Sequence, residues 1–275
     1  ENVGKDFRKA QIKRDIAYIN LQKEQGRLTS GEADYWKEKI GNLQEYQYGY
    51  HKGWSMILDT LTWPVLIMML ICIGIAPIFA GEYQSKCDSL ILCMKYGRSK
   101  LILAKIISGW LYATGVYWGI TLIYSSIYMI FLGTQGADLP IQLKYPAMSV
   151  GYNLTMGEAV GITLLLGYFF TLGIMGITLF MSALLKNTYA VIIVAFLLII
   201  IPTFLSLDTG GYVWSHVLSL LPPKIADFSF QSYTAYSIGN IVLSWPVMAI
   251  LVNAIVAVLC SVLGYIIFRK HQVNK

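Results

Sequence analysis

Residues 79–105 read FAGEYQSKCDSLILCMKYGRSKLILAK. The run joins two long apolar stretches, and it carries two acids, four lysines and one arginine. A lysine or arginine at the centre of a spanning helix opposes insertion by roughly 2.5–3.5 kcal/mol. A chain crossing hydrocarbon twice therefore gathers such residues where it turns in water. The run is read as an elbow between two membrane spans, and the rest of the chain is sorted outward from it.

Composition agrees with a membrane protein. Of 275 residues, 56% are hydrophobic and only 13% charged, against about 25% charged in soluble domains. The formal charge of +6 is not a nucleic-acid footprint. Ten of the 21 basic residues precede Trp54, mixed with eight acids, and most of the others flank apolar runs. Cys72 and Cys260 fall within apolar runs as small buried hydrophobes, while Cys87 and Cys93 have no companion at metal-ligand spacing. No metal site, no disulfide framework and no nucleic-acid partner are expected.

Five apolar segments approach the roughly 20 residues that a spanning helix needs: 58–79, 103–132, 160–184, 189–207 and 245–268. The predicted fold class is an all-α polytopic membrane protein. Ahead of these spans, Ile12, Ile16 and Ile19 recur at helical spacing, Thr29-Ser30-Gly31 make a turn, and Tyr35, Trp36, Ile40 and Leu43 mark a second helix. Residues 1–55 are expected to form an amphipathic helical region outside the bilayer, with 56–270 as the transmembrane domain. In the long loop 208–244, Trp214, Val217, Leu218 and Leu221 share one face of an interfacial helix near 212–221, ended by Pro222-Pro223. His216 is expected there as an interfacial polar residue.

Basic residues follow the positive-inside rule. Lys86, Lys95, Arg98, Lys100 and Lys105 in the elbow, Lys186 in the next short turn, and Arg269, Lys270 and Lys275 at the tail assign those segments to the cytoplasm. With five spans, residues 1–55 then lie on the far side. A polar start without a signal sequence does not reach that side unaided, so a sixth span upstream of Glu1 is expected.

Within the elbow, Leu90, Ile91 and Met94 supply one face of a short helix, Gly97 ends it, and Arg98-Ser99-Lys100 begin the climb into the next span. Glu82 stands at the inner end of the first span, where a carboxylate is costly and often functional. Two roles are open to it, pairing with a nearby base to hold the elbow shut or receiving a basic residue from a partner, beside the plain reading of a carboxylate solvated at the interface.

Phe79, Glu82, the helix around 85–94, Arg98-Ser99 and Lys105, together with the loop pattern, give the chain a resemblance to the permease subunits of type-2 (ABC-2) ATP-binding cassette exporters. Lys86-Cys87 stands where those permeases commonly have Gly-Thr. The resemblance covers about three quarters of the chain. It implies a coupling helix near 83–96, with Glu82, Ser85, Lys86, Leu90, Met94, Arg98, Lys100 and Lys105 serving coupling and ATPase docking. It also implies a second permease subunit, two cytoplasmic ATPase subunits that bind ATP and Mg²⁺, and a multi-pass place in a bacterial cell membrane. The chain has no phosphate-binding loop of its own, since Gly97-Arg98-Ser99-Lys100 is too short. No enzymatic activity is expected of it.

No acid or base lies deep in a span, which disfavours an ion-coupled carrier and suits an amphipathic or hydrophobic cargo. Tyr117, Trp118, Tyr124 and Tyr128 either line a substrate path as a polarised aromatic wall or simply pack between helices. A receptor or assembly subunit using residues 1–55 is the alternative function. An embedded enzyme would need convergent catalytic groups, and the spans offer none.

Overall fold

The computed structural model describes residues 2–41, 48–60, 63–97, 99–145, 150–206, 211–239 and 241–270. The sixth span expected upstream of Glu1 lies outside them. Among the described residues four helices are long and apolar enough to cross a membrane, which makes the chain a polytopic α-helical membrane protein. The first is built from α4 (Trp63–Ile75) and α5 (Pro77–Gln84). The others are α7 (Lys100–Leu132), α8 (Met156–Leu184) and α11 (Trp245–Lys270).

One expectation about the spans needs correction. The first span begins near Pro64, not at 58, because residues 52–59 form a separate helix, α3 (Lys52–Asp59). Asp59, at the end of α3, pairs with Lys144 and keeps a side chain 58% exposed. Pro64 falls in the first turn of α4, where a missing N–H costs nothing. At the other end, Glu82 remains helical because it too has a partner, described below. The segment expected at 189–207 forms α9 (Thr188–Phe204), a 17-residue helix. At 1.5 Å per residue it extends about 25 Å, at the lower limit for a spanning helix.

The helices pack around α8, the most enclosed of the four. Its glycines permit this. A Cβ on Gly176 would lie 2.7 Å from the Cα of Ala257, and one on Gly173 would lie 2.5 Å from the Asn253 side chain, so α11 approaches α8 at backbone distance. Asn253 is buried, and its amide donates to the carbonyls of Leu220 (3.1 Å) and Ala249 (2.9 Å). Gly167 makes room for Tyr117, whose buried hydroxyl donates to the Leu164 carbonyl at 2.6 Å. Tyr117 is therefore a packing residue between α7 and α8.

At one end of the bundle sits a cap. It contains α1 (Asn2–Glu24), α2 (Ser30–Gly41), α10 (Gly211–Ser219), a 3-10 turn at Pro222–Asp227 and a β-hairpin. The hairpin pairs β1 (Ala235–Ile238) with β2 (Ile241–Ser244) in antiparallel register, Ala235 opposite Ser244. It is the one two-stranded sheet among the described residues, beside an isolated bridge between Pro140 and Thr155, and β2 runs directly into α11. The helix expected at 212–221 spans Gly211–Ser219 instead, because the chain leaves helical geometry ahead of Pro222. Leu218 is buried, whereas Val213, Trp214 and Val217 are exposed, so Leu218 leaves the face assigned to it.

Glu32 ties the cap together. Its carboxylate accepts from the Thr29 amide (2.9 Å), completing a capping box on α2, and from the hydroxyls of Tyr212 (2.7 Å) and Ser237 (3.3 Å). Trp36 packs edge-on to Tyr35, Tyr152 and Tyr233, while Phe228 stacks on Trp245 with ring centroids 4.4 Å apart. His216 is buried, with ring nitrogens 2.8 Å from the Tyr212 carbonyl and 3.1 Å from that of Ala235. It is a structural tie between α10 and β1, which corrects its expected interfacial place.

Asp15 on α1 is only 1% exposed and its Oδ1 has no hydrogen-bond partner among the described residues. Burial pushes its carboxyl up to about 6, against the opposing pull of Arg14. A carboxyl raised on folding binds its proton more tightly in the folded state, so stability falls as pH rises from about 4 through 6. Asp15→Asn is expected to raise the melting temperature by a few degrees at pH 7.5 and to leave it unchanged at pH 4. A thermal melt at the two pH values checks this, and equal shifts at both would refute it.

Candidate functional site

The elbow occupies the end of the bundle opposite the cap. Pro77 has no N–H to continue the helix ladder, and the gap is filled by a side chain from α8. The Ser182 hydroxyl accepts from the amides of Phe79 and Ala80, both at 3.0 Å, and donates to the Ala76 carbonyl at 2.7 Å. A hydroxyl inserted into a helix ladder at a proline is a defined cause of a kink. It fixes the direction in which α5 carries Glu82.

Lys105, in the second turn of α7, closes the elbow. Its ammonium donates to the Glu82 carboxylate and to the Ile78 carbonyl at 2.9 Å, and it lies 6.0 Å from the centre of the Phe79 ring. The pair is largely shielded, with side-chain exposures of 22% for Lys105 and 13% for Glu82. The second carboxylate oxygen of Glu82 is buried and makes no hydrogen bond among the described residues. Of the two roles open to Glu82, the geometry is that of a clamp. Tyr83 adds to it by donating to the Ala183 carbonyl at 3.2 Å and packing on Phe268, which also stacks on Phe79.

Between the two clamped helices the chain makes a compact turn. Ser85 closes α5 by donating to the Gly81 carbonyl at 2.8 Å, and Lys86 takes a left-handed backbone, φ 56°. The helix expected at 83–96 is in fact α6 (Asp88–Cys93), six residues long. Tyr83 and Gln84 belong to α5, the left-handed Lys86 separates the two, and Met94 is already extended. Gly97 is buried beneath α6, and a Cβ there would lie 1.7 Å from the Ile91 carbonyl oxygen, so no other residue fits without moving the backbone. Leu90 (67% exposed), Met94 (58%) and Tyr96 face outward, with Lys95 and Lys100 over the Tyr96 ring at 5.5 and 4.7 Å. Arg98 lies outside the described residues.

The other predicted aromatic group divides. Trp118 packs on Tyr117 and Tyr168, while Tyr124 and Tyr128 meet edge-on at 4.8 Å, with Tyr124 hydrogen-bonded to the Thr60 hydroxyl. These four side chains form two packing groups along α7. Lys224 was not singled out in the sequence. It is 2% exposed and its ammonium donates to the Leu205 carbonyl at 2.6 Å, at the negative end of α9.

Residues 35–273 match a family described as a protein of unknown function (DUF2705). The chain belongs to the DUF2705 family. No curated protein and no solved structure matches it. In this DUF2705 chain the matched stretch takes in the elbow, all four long helices, α10 and the hairpin, and begins within α2. The clamp, the kink and the fitted Gly97 therefore all belong to the family segment.

Proposed function

We propose that this DUF2705 chain is the transmembrane subunit of an ATP-driven exporter that moves an amphipathic or hydrophobic substrate, a peptide, lipid or drug, across a bacterial cell membrane. The observation that carries the reading is the elbow itself. An exposed surface of Leu90, Met94, Tyr96 and lysines is mounted on two spans joined rigidly through Lys105. A push on that surface reaches both helices directly. Two cytoplasmic ATPase subunits would dock there and supply ATP and Mg²⁺, and a second copy or relative of the chain would complete the transport path.

Charge placement supports the orientation. Lys86, Lys95, Lys100, Lys186, Arg269 and Lys270 gather at the elbow end, which the positive-inside rule assigns to the cytoplasm. The cap is then extracytoplasmic. The spans present no ionisable group at mid-depth, as an engine driven from a partner permits. A receptor or assembly subunit is the second reading. It is favoured by a cleft of about 230 Å³ in the cap, lined by Tyr18, Arg27, His216 and Tyr233 among others.

Gentle extraction of the tagged chain from native membranes tests the proposal. A cassette ATPase is expected to copurify, and Gly97→Ala is expected to reduce its yield about tenfold, in line with the 1–3 kcal/mol that overpacking costs. An unaltered chain that brings down no ATPase removes the exporter reading and leaves the cap as the functional surface.

A further inference from the structure

A cavity of about 280 Å³ opens at the cap end, lined by His51, Lys52, Ser55, Asp59, Lys144 and Tyr145. Its depth is set by α3, which leads into α4 and packs against the far end of α7. A Cβ on Gly53 would lie 2.5 Å from the Gly133 carbonyl oxygen, and the Trp54 indole donates to the Thr134 carbonyl at 3.0 Å. The cavity therefore sits where two spans meet water, at the level of lipid headgroups.

Its chemistry is anion-seeking. Lys144 is held inside by its stem, with a side chain 7% exposed, and its ammonium donates to the Ser55 carbonyl at 3.0 Å and to the Asp59 carboxylate. Lys52 is exposed and forms no ion pair among the described residues. Two ammonium groups thus face one carboxylate. The Ser55 residue is 8% exposed and lines the cavity, and its buried hydroxyl has no hydrogen-bond partner among the described residues. A buried hydroxyl donor without an acceptor costs about 1–3 kcal/mol, which a bound acceptor would recover. The first turn of α3 also starts at the cavity with no side-chain cap from His51, and uncapped amides at a helix start favour anions.

One group satisfies all of these donors together. A tetrahedral anion offers several acceptor oxygens in different directions, whereas a carboxylate offers two in one plane. We propose that this cavity binds a phosphate group, carried either by a phospholipid of the adjoining leaflet or by a free phosphate species. Asp59 is its resident competitor, because a phosphate must share Lys144 with it. The prediction is thus of opposite sign at neighbouring positions. Removing Lys52 or the Ser55 hydroxyl weakens binding, and neutralising Asp59 strengthens it.

Isothermal titration of the full chain in a mild nonionic detergent tests this with three probes: dihexanoylphosphatidylglycerol, dihexanoylglycerol and inorganic phosphate. At least one phosphate-bearing probe is expected to bind, and dihexanoylglycerol is not. Lys52→Gln and Ser55→Ala are each expected to weaken binding about tenfold, as for a hydrogen bond to a charged group. Asp59→Asn is expected to tighten it about fivefold, the scale of an exposed charge pair. Binding of the short-chain lipid alone identifies a headgroup site, and equal binding of inorganic phosphate identifies a free-phosphate site. The proposal is overturned if neither phosphate probe binds, or if Lys52→Gln and Ser55→Ala bind as the unaltered chain does. Lys52 is exposed and the Ser55 hydroxyl has no partner to lose among the described residues, so both variants are expected to fold, and their melting temperatures verify it.

Discussion

Replacing Lys105 with methionine is expected to lower the unfolding free energy by about 3 kcal/mol, the cost of leaving one member of a shielded ion pair without its partner. Glu82 would keep its carboxylate in a setting only 13% exposed, with its second oxygen already unbonded. The Ile78 carbonyl would lose its donor as well. Glu82→Gln is milder, about 1 kcal/mol, because Lys105 retains that carbonyl and the Phe79 ring. A double change, Lys105→Met with Glu82→Leu, is expected to recover most of the loss, since apolar side chains of similar volume often replace shielded pairs without penalty. Unfolding in mixed micelles, followed by tryptophan fluorescence, measures all three. Equal losses for Lys105→Met and Glu82→Gln would show that the pair is solvated and that the clamp is not closed.

Ser182→Ala is the second large change, also expected to cost about 3 kcal/mol. The hydroxyl serves two amides and one carbonyl at the break ahead of Pro77, and the bilayer provides no water to replace it. The dependence on Pro77 makes the prediction specific. In a Pro77→Ala background, Phe79 and Ala80 can donate to Ile75 and Ala76 in an unbroken helix, so Ser182→Ala is expected to cost less than about 1 kcal/mol there. A double-mutant cycle reads the difference as a coupling energy. Additive losses would mean that the kink does not depend on the hydroxyl.

The sequence made the spans legible because hydrocarbon imposes a crude requirement, about 20 apolar residues, and α7, α8 and α11 meet it without ambiguity. It misplaced the start of the first span because the apolar Met56-Ile57-Leu58 runs up to it, interrupted by Asp59 and Thr60. What holds them outside is Lys144, 85 positions from Asp59. Ser182 and Lys224 escaped notice for the same reason. Each answers a need created elsewhere, Ser182 for Pro77 and Lys224 for the end of α9, and no local pattern announces such a pairing. The hairpin did leave a local signal, Gly239-Asn240 between Ile238 and Ile241, which is a two-residue turn signature. Glu82 and Lys105 could be nominated from their rarity at a span's edge, but not as partners of one another. The aromatic residues of α7 stayed undecided because a tyrosine in a span packs and lines equally well. Only the space left by Gly167 places Tyr117 in a helix interface.

The connection of β2 to α11 has a mechanical consequence. α11 is an unbroken helix about 39 Å long by its rise per residue, rooted at Trp245 in the cap and at Phe268 beside the elbow clamp. Its backbone approaches α8 at Ala257, against Gly176, near its midpoint, and again where Gly264 faces Leu179 and Phe180. A helix seated on its neighbour at several depths cannot tilt about one of them without opening the others. A displacement of the hairpin would thus reach Phe79 and Tyr83 as a movement of α8 and α11 together.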